Sequence, residues 1–251
     1  DATKHLEYIL SSVCADDAYV IERIIDKDLK FGLGTTYINK VFKDLIPVLR
    51  DGVVIVISSQ VPIGTGRIFQ KIVRKARPDL KFSYAYQPEN LQLGRALESF
   101  FKPARVVIGV DDQKAEAIMK NIFSPLRVPV LVMDIVSAEM VKHALNSFLA
   151  ASLSFIYDIA DLCECYGADV IKVSQALKSD SRIGQEAYLD ASIGFSGGTL
   201  GRDLQILLDR AADKDLAVPV LAGAFLKNKN RWQMVESILK EEVKAWKKSK
   251  I

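Results

Sequence analysis

A chain of 251 residues is long enough for one large domain or two small ones. Hydrophobic residues make up 49% of it and charged residues 26%, which is the balance of a soluble globular protein. Its formal net charge of +3 is too small to indicate a nucleic-acid-binding protein. Since no apolar run reaches the length of a membrane span, we expect neither nucleic acid nor a membrane as a partner.

The few cysteines and histidines indicate neither a disulfide framework nor a metal site. Cys163 and Cys165 lie two apart on a predicted helix and so point in different directions, Cys14 is remote, and no CxxC motif occurs. His5 and His143 are too few for a histidine-rich site. We therefore expect no metal, and a reducing, cytoplasmic location.

The first half of the chain alternates strands with helices. Residues 52–58, GVVIVIS, form a continuous β-branched run that is typical of a strand buried on both faces of a parallel sheet. Further strands are predicted at 81–86, 105–110 and 128–134, with helices at 40–50, 66–77 and 111–124. This alternation predicts an α/β fold with a parallel, Rossmann-like sheet.

The second half is predicted to be all-α. From Ser137 to Tyr166 the chain has no Gly or Pro and repeats apolar residues at helical spacing, which predicts a spine helix about 45 Å long. Further helices are predicted at 170–178, 202–214 and 219–248. We expect residues 1–135 to form the α/β domain and 136–251 a helical domain.

Four stretches carry polar side chains suited to chemistry: SSQVPIGTG (58–66), YQPENLQLGRAL (86–97), EMVKHALNSFLA (139–150) and GFSGGTLGRDL (194–204). The first two follow predicted strands, where α/β sheets bind ligands, and Glu89 there is a candidate general base. Lys142 and Asn146 share a helix face and together suit an oxyanion. The glycines of the last stretch permit close backbone approach, and helix-start amides bind anions. Each stretch alone is equally consistent with a turn or a solvated face.

Together, the order and separation of these stretches resemble the UDP-glucose/GDP-mannose dehydrogenase family of nucleotide-sugar 6-dehydrogenases. The matching segments, between about Asp51 and Asn230, are SSQVPIGT, PENLQLGRALESFFKPARVVIG, AEMVKHALNSFLA, ECYGADV, DSRIG and GFSGGTLGRD. The resemblance implies oxidation of a UDP- or GDP-type sugar at C6 to the carboxylate with two NAD in succession, in polysaccharide biosynthesis. It also implies a homodimer, which we expect to be built on the 137–166 helix.

The resemblance further implies roles for individual residues. Glu89 would serve in acid–base and water handling, Lys142 would stabilise the developing oxyanion with Asn146 beside it, and Asp203 would position the catalytic water. Arg182 would reach the nucleotide sugar across a dimer contact. Other expected substrate-binding residues are Tyr188, Gly194, Phe195, Gly197, Gly198 and Arg202. The expected cofactor-binding residues are Ser59, Gln60, Val61 and Pro62.

The sequence departs from the family pattern at several positions. Thr199 stands where the family's GFGGxCxxKD-like loop carries the nucleophilic cysteine, and a threonine hydroxyl is a far poorer nucleophile without an adjacent base. The second oxidation is therefore in question. Arg202 replaces a lysine, and Gln60 replaces a threonine that meets the cofactor.

The ends of the chain depart as well. No GxGxxG fingerprint occurs, because FGLGTTY (31–37) lacks the third glycine and a preceding strand. The family's C-terminal nucleotide-binding domain is not recognisable beyond about Trp232. We therefore expect the NAD-binding domain, residues 1–135, to be partial, and residues 136–251 to be the central dimerisation domain.

Two other interpretations remain open. One is a non-catalytic relative that retains nucleotide-sugar binding or dimerisation, which the absent fingerprint and cysteine favour. The other is a β-hydroxyacid dehydrogenase, a group that also uses lysine and asparagine four apart on its interdomain helix. The PEN and DSRIG segments argue against this last interpretation.

Overall fold

A computed structural model describes residues 45–89, 94–195 and 197–248 of the chain. Cys14, His5 and the FGLGTTY segment lie outside the described residues, as does most of the helix expected at 40–50. Within that expected helix, Ile46–Val48 form a single 3-10 turn and the chain leaves it at Leu49 with extended backbone. Proline at the second position of the turn removes a backbone donor and so favours this short element.

The chain divides into two compact units, of which the smaller is described at residues 45–51 and 72–81. Its contacts centre on Arg77, which pairs with Asp79 at 2.9 Å and whose Nη1 lies 3.5 Å from the carbonyl oxygen of Leu49. The larger unit contains residues 52–71 and everything from 82 onward that the structure describes. All elements that form the candidate site belong to this larger unit.

Four strands form one sheet in the order β1-β2-β3-β4. They are β1 (Val53–Ile57), β2 (Phe82–Tyr86), β3 (Val106–Val110) and β4 (Val130–Met133), close to the four predicted strands. Parallel pairing is confirmed for β1 with β2 and for β3 with β4. β2 and β3, however, pair antiparallel through Ala85–Val110 and Tyr86–Gly109. Strand composition cannot predict this reversal, since buried strands of either direction carry the same apolar residues.

Seven helices are described. They are α1 (Thr65–Ala76), α2 (Ala96–Phe101), α3 (Gln113–Phe123), α4 (Ile135–Tyr166), α5 (Val170–Ser179), α6 (Arg202–Ala212) and α7 (Pro219–Lys248). All except the short α2 were predicted, and the α/β half followed by an all-α half is confirmed. No described helix is long and apolar enough to span a membrane.

The spine helix α4 begins and ends where its capping residues dictate. Asp134 accepts a hydrogen bond from the backbone amide of Ser137 at 3.0 Å, which satisfies a first-turn donor. Gly167 ends the helix in the left-handed conformation, with φ of 69°. The 32 residues between them span about 48 Å at 1.5 Å per residue.

Two glycines let the start of α4 lie directly against the sheet and α1. A Cβ at Gly109 of β3 would stand 2.7 Å from the Cβ of Ala138, and one at Gly66 of α1 would stand 2.7 Å from Ile135. Any larger residue would force these elements apart. The close approach brings the first turns of α4 to the carboxyl ends of β1 and β2.

Two apolar clusters surround this junction. The sheet packs on α3 through Ala85, Val106, Ile108, Ala115 and Met119. The helices pack on one another through Ala150, Ile156, Tyr157, Leu189, Phe195, Leu204 and Ala224. The chain that precedes the glycine-rich loop is thus anchored in the helical core through Phe195.

Candidate functional site

The carboxylate of Asp203, in the first turn of α6, is the centre of a buried polar cluster. Its side chain is 0% exposed and accepts hydrogen bonds from the side-chain amides of Gln60 and Asn146. The Nδ1 atom of His143 lies 3.3 Å from Asp203 Oδ1. We call these four residues the Asp203 cluster. They come from three segments: the loop after β1, the spine helix and the start of α6.

The cluster keeps Asp203 ionised. Burial alone would raise the pKa of its carboxyl, but the hydrogen bonds from His143, Asn146 and Gln60 and the charge of His143 hold that pKa below its ordinary value. A carboxylate with this many donors is a poor proton acceptor. The arrangement therefore suits a fixed negative charge that orients its neighbours.

Both ring nitrogens of His143 face hydrogen-bond acceptors. Its Nε2 lies 2.8 Å from the carbonyl oxygen of Val61, and its Nδ1 lies 3.3 Å from the Asp203 carboxylate. Through these two contacts His143 joins the loop after β1 to α6.

One face of the spine helix carries the buried polar side chains. Glu139, His143, Asn146 and Ala150 follow one another at helical intervals, and all four are buried. Glu139 accepts hydrogen bonds from the amides of Gly64 and Gly66, at 2.5 and 2.7 Å. Burial raises the pKa of this carboxyl in spite of those amides and the nearby charge of His143. Glu139 thus holds the start of α1, and with it the end of the loop after β1.

Glu89 lies half-buried just beyond the end of β2. Its charge reaches Tyr86, the last residue of that strand: burial, then the charges of Glu139, Asp203 and Glu89, raise the pKa of the Tyr86 hydroxyl. That hydroxyl donates to the carbonyl oxygen of Ser59 at 2.9 Å. Glu89 and Asp203 therefore both lie within electrostatic reach of the same buried tyrosine.

Lys142 is half-buried on the spine helix, one turn from Asn146, and side chains so spaced have Cβ atoms about 6 Å apart. Within the described part of the chain, no hydrogen bond or ion pair holds its ammonium group. Asn146 instead donates to Asp203. Of the expected pair, the Asn146 amide is thus held by Asp203, whereas the Lys142 ammonium group is available to bind a ligand.

The four expected cofactor-binding residues lie together in the loop after β1, where three carbonyl oxygens and the Gln60 side chain are hydrogen-bonded within the protein. The carbonyl oxygen of Ser59 accepts from Tyr86, that of Val61 from His143, and that of Pro62 from the Thr65 amide at 3.1 Å. The side chain of Gln60 bonds Asp203 and Arg202. These hydrogen bonds hold the loop in place at the carboxyl end of β1.

The glycine-rich loop ends in a π-helical turn, Gly197–Gly201, that leads directly into α6. Thr199 lies exposed in this turn, with Gly198 beside it, and Arg202 begins α6 with an exposed side chain. Upstream, the amide of Phe195 donates to Asn228 at 2.8 Å, and Asn228 donates back to the Phe195 carbonyl at 3.0 Å. Gly194 passes so close to α7 that a Cβ there would stand 3.0 Å from Asn228 Oδ1.

Two of the expected substrate-binding residues are not brought to the Asp203 cluster. Arg182 is 86% exposed and pairs with its neighbour Asp180 through two hydrogen bonds, of 2.7 and 3.0 Å. Tyr188 is about half exposed. Neither side chain has a contact with Gln60, His143 or Asp203 in the described structure.

Sequence reasoning missed two residues of the site, His143 and Glu139. Their signal was present: with Asn146 and Ala150 they mark one face of a helix at intervals of four, three and four residues, and a polar residue on an otherwise apolar face is informative. In the described regions no group of three or more His, Cys, Asp or Glu side chains is placed to hold a metal ion.

Comparison with known sequences supports the family resemblance in both halves of the chain. The NAD binding domain of the UDP-glucose/GDP-mannose dehydrogenase family matches residues 26–127. The central domain of the same family matches residues 136–230. Together these two domain matches cover most of the chain.

Individual relatives agree with the domain matches. The chain is 38% identical to the UDP-glucose 6-dehydrogenase TuaD of Bacillus subtilis over 81% of its own length and 44% of that protein. It is 34% identical to the UDP-glucose 6-dehydrogenase of Rhizobium meliloti over 78% of itself and 46% of that protein.

Among solved structures, the UDP-glucose dehydrogenase of Pyrobaculum islandicum superposes with a TM-score of 0.72 at 32% identity, over 76% of this chain and 45% of that one. The chain thus spans less than half the length of each of these three relatives. With both domains of one family matched in order, and the fold shared, this chain belongs to the UDP-glucose/GDP-mannose dehydrogenase family.

Proposed function

We propose that this chain forms the sugar-oxidising part of an NAD-dependent nucleotide-sugar 6-dehydrogenase that acts on a UDP- or GDP-type sugar. The observation that carries the proposal is the Asp203 cluster, with Lys142 one helical turn from Asn146 and Glu89 within electrostatic reach of the same buried tyrosine as Asp203. A cation near the reacting oxygen and a carboxylate near its proton are what oxidation of an alcohol requires.

Each residue takes a role that follows from its placement. Lys142, which has no partner among the described residues, stabilises the negative charge that develops on the C6 oxygen. Glu89, half-buried at a strand end, accepts the proton of the C6 hydroxyl. Asp203 is ionised and enclosed by donors, so it orients Asn146 and its other neighbours instead of exchanging protons.

The loop after β1 fits the nicotinamide end of NAD. It lies at the carboxyl end of a parallel strand, where α/β sheets bind nucleotides. Ser59 and Pro62 are half-buried and Val61 is buried, and hydrogen bonds to the carbonyl oxygens of all three hold the backbone in place. Ser59, Val61 and Pro62 would hold that end of the cofactor. NAD, when bound, accepts the hydride from C6.

The second oxidation does not follow from this site. An aldehyde is oxidised further only after a nucleophile adds to its carbonyl carbon, and Thr199 occupies the position of the family's cysteine. Its hydroxyl is exposed, and no described side chain is hydrogen-bonded to it as a base. We therefore infer that the product is the 6-aldehyde, with one NADH formed per sugar.

Product stoichiometry tests the proposal. The full-length protein is incubated with NAD and UDP-glucose or GDP-mannose, NADH is counted per sugar consumed, and the product is identified by mass spectrometry. One NADH and an aldehyde are expected. Two NADH and a carboxylate would contradict the one-step reaction, and neither turnover nor nucleotide-sugar binding would contradict the dehydrogenase itself.

We also propose that the chain forms a homodimer through the spine helix. Phe148, Phe155 and Leu162 recur at seven-residue intervals along α4 and are between 50% and 69% exposed, an apolar seam that suits a facing helix. In such a dimer, the exposed Arg182 of one copy would reach the nucleotide sugar bound to the other copy.

Substitution on the seam tests the dimer. Phe155→Glu should convert a dimer to a monomer in light scattering, because it places a charge on the seam. Ile122→Glu is the matched control, since Ile122 of α3 is similarly exposed, at 55%, and lies on another surface. A monomeric parent protein, or equal effects of the two variants, would contradict the proposed interface.

A non-catalytic relative is the second candidate, favoured by Thr199, whose hydroxyl is a poor nucleophile without an adjacent base. Such a protein would bind the nucleotide sugar but not NAD. Calorimetric titration with each ligand separately distinguishes the two functions.

A further inference from the structure

Gln60 departs from the family pattern, and its side chain leaves the loop after β1 toward α6. Its Nε2 donates to the Asp203 carboxylate, and its Oε1 accepts from the Nη2 of Arg202. These partners fix which way the amide lies, because a carboxylate only accepts and a guanidinium only donates. Gln60 therefore joins the first two residues of α6 to each other.

The rest of the loop cannot make this connection. The carbonyl oxygens of Ser59, Val61 and Pro62 are engaged by Tyr86, His143 and Thr65, which holds the backbone in place. A threonine at position 60 carries its hydroxyl on Cβ, two carbons short of the amide group of glutamine. Its hydroxyl would not span the same distance from this fixed backbone.

Arg202, the second departure from the family pattern, complements Gln60. Its Nε lies 4.0 Å from Asp203 Oδ1 and its side chain is 47% exposed, so the guanidinium meets Gln60 and Asp203 with one side and solvent with the other. A guanidinium has five donors in a fixed fork, whereas an ammonium group is a single flexible point charge. The fork can donate to Gln60 and hold its remaining donors in a fixed direction toward an anionic ligand.

We propose that Gln60 acts on the nucleotide-sugar side of the site, as a positioning residue that aims Arg202 at an anionic group of the substrate, and that it does not bind the cofactor. The inference rests on the proposed function for its ligand. The hydrogen bonds of Gln60 give it a different role from the other three residues of its loop, which would hold NAD.

Separate titrations of the two ligands test this assignment. In the full-length protein, Gln60→Ala should weaken UDP-glucose binding about tenfold, the order expected for one lost charge-assisted hydrogen bond, and leave NAD binding within about twofold. Arg202→Ala should weaken UDP-glucose binding similarly. The double variant should bind no more weakly than Arg202→Ala, because the two residues act as one unit.

Gln87→Ala is the matched control. Gln87 is also half-buried at a strand end, but the described partners of its side chain are Ser58 and the Pro88 carbonyl, not α6, so both ligands should bind as to the parent protein. Weaker NAD binding in Gln60→Ala with unchanged sugar binding would overturn the assignment. Equal loss of both ligands, or loss of neither, would overturn it too.

Urea unfolding separates failure of this inference from failure of the proposed function. A cycle of Gln60→Ala, Arg202→Ala and the double variant needs no ligand, and it should give a coupling of at least about twofold in the unfolding constant. If the parent binds neither ligand while this coupling is present, the proposed function fails and the Gln60–Arg202 contact stands. Additive effects would overturn the contact itself.

Discussion

Asp203 and Thr199 lie four residues apart at the start of α6 and have opposite surroundings. Asp203 is fully buried and receives donors from the loop after β1 and from the spine helix. Thr199 is exposed in a turn rich in glycine. The structure thus encloses the Asp203 carboxylate with donors and leaves Thr199, at the proposed position of the nucleophile, exposed.

For the proposed function, this difference means that the two oxidations would depend on different parts of the same loop. The first would need a fixed environment of charges, which we propose that the Asp203 cluster and Lys142 provide. The second needs a nucleophile held against a base. Substitutions at the two ends of the loop should therefore have very different consequences.

The largest effect is expected from Asp203→Asn. The variant removes the buried negative charge that faces His143, Asn146 and Gln60, and it turns one acceptor into a donor that faces other donors. Breaking a buried pair in this way costs about 3 kcal/mol or more, measured as the free energy of unfolding in urea. Asp209→Asn, at an exposed position of the same helix, should cost no more than about 0.5 kcal/mol.

The pH dependence sharpens this prediction. The folded pKa of Asp203 lies below its ordinary value, so its stabilising contribution is present at neutral pH and is lost as the pH falls through that folded pKa. The difference in unfolding free energy between the parent and Asp203→Asn should thus narrow as the pH falls. A difference in unfolding free energy that does not change with pH, or a loss as small as that of Asp209→Asn, would contradict a buried, ionised Asp203 that stabilises the fold.

Lys142→Ala should have the next largest effect, confined to activity. Removing a group that stabilises a developing oxyanion lowers turnover by about a hundredfold, while the half-buried lysine, unpaired with any described residue, contributes little to stability. The rate of NADH formation and urea unfolding measure the two quantities. Lys214→Ala, at an exposed position, should change neither, and an unchanged rate in Lys142→Ala would remove Lys142 from the mechanism.

Glu139→Gln should have a smaller effect with the opposite pH dependence. The amide group can accept from only one of the Gly64 and Gly66 amides, at a cost of about 1 kcal/mol. The pKa of Glu139 is raised in the folded state. Its carboxyl therefore stabilises the fold at pH values below its ordinary pKa, and this stabilisation is lost as the pH rises through the folded pKa. The difference in unfolding free energy between the parent and Glu139→Gln should therefore widen as the pH falls.

The control for this prediction is Glu186→Gln, since Glu186 is exposed on the helical half. Its unfolding free energy should follow that of the parent at every pH, within about 0.5 kcal/mol. If Glu139→Gln behaves in the same way, the contacts of Glu139 with the start of α1 do not stabilise the fold.

The sequence predicted most of the fold because its signals are local. The β-branched run at 52–58 and the absence of Gly and Pro from 137 to 166 each specify an element without reference to the rest of the chain. The antiparallel pairing of β2 with β3 depends on how distant segments meet, which no local pattern records. The short α2 has too few residues to display a helical period.

The sequence predicted which segments contribute to the candidate site, but not the hydrogen bonds that connect them. Glu89, Asn146 and Asp203 were identified through the family resemblance, and the structure puts Asn146 on Asp203. His143 was passed over although it recurs at helical intervals with Glu139 and Asn146, because spacing along one helix does not show what that face meets. Only the packing of α4 on β3 reveals that it faces the loop after β1.

The smallest effect is expected from Thr199→Ala, which tests the exposed residue in the comparison of Asp203 with Thr199. An exposed side chain with no described partner contributes little, so unfolding free energy should change by less than about 0.5 kcal/mol and the first oxidation should proceed as in the parent. Thr199→Cys supplies the missing thiol and should raise the NADH formed per sugar above one. A large loss of turnover in Thr199→Ala would instead place the threonine hydroxyl among the reacting groups, and the two ends of the loop would no longer differ in function.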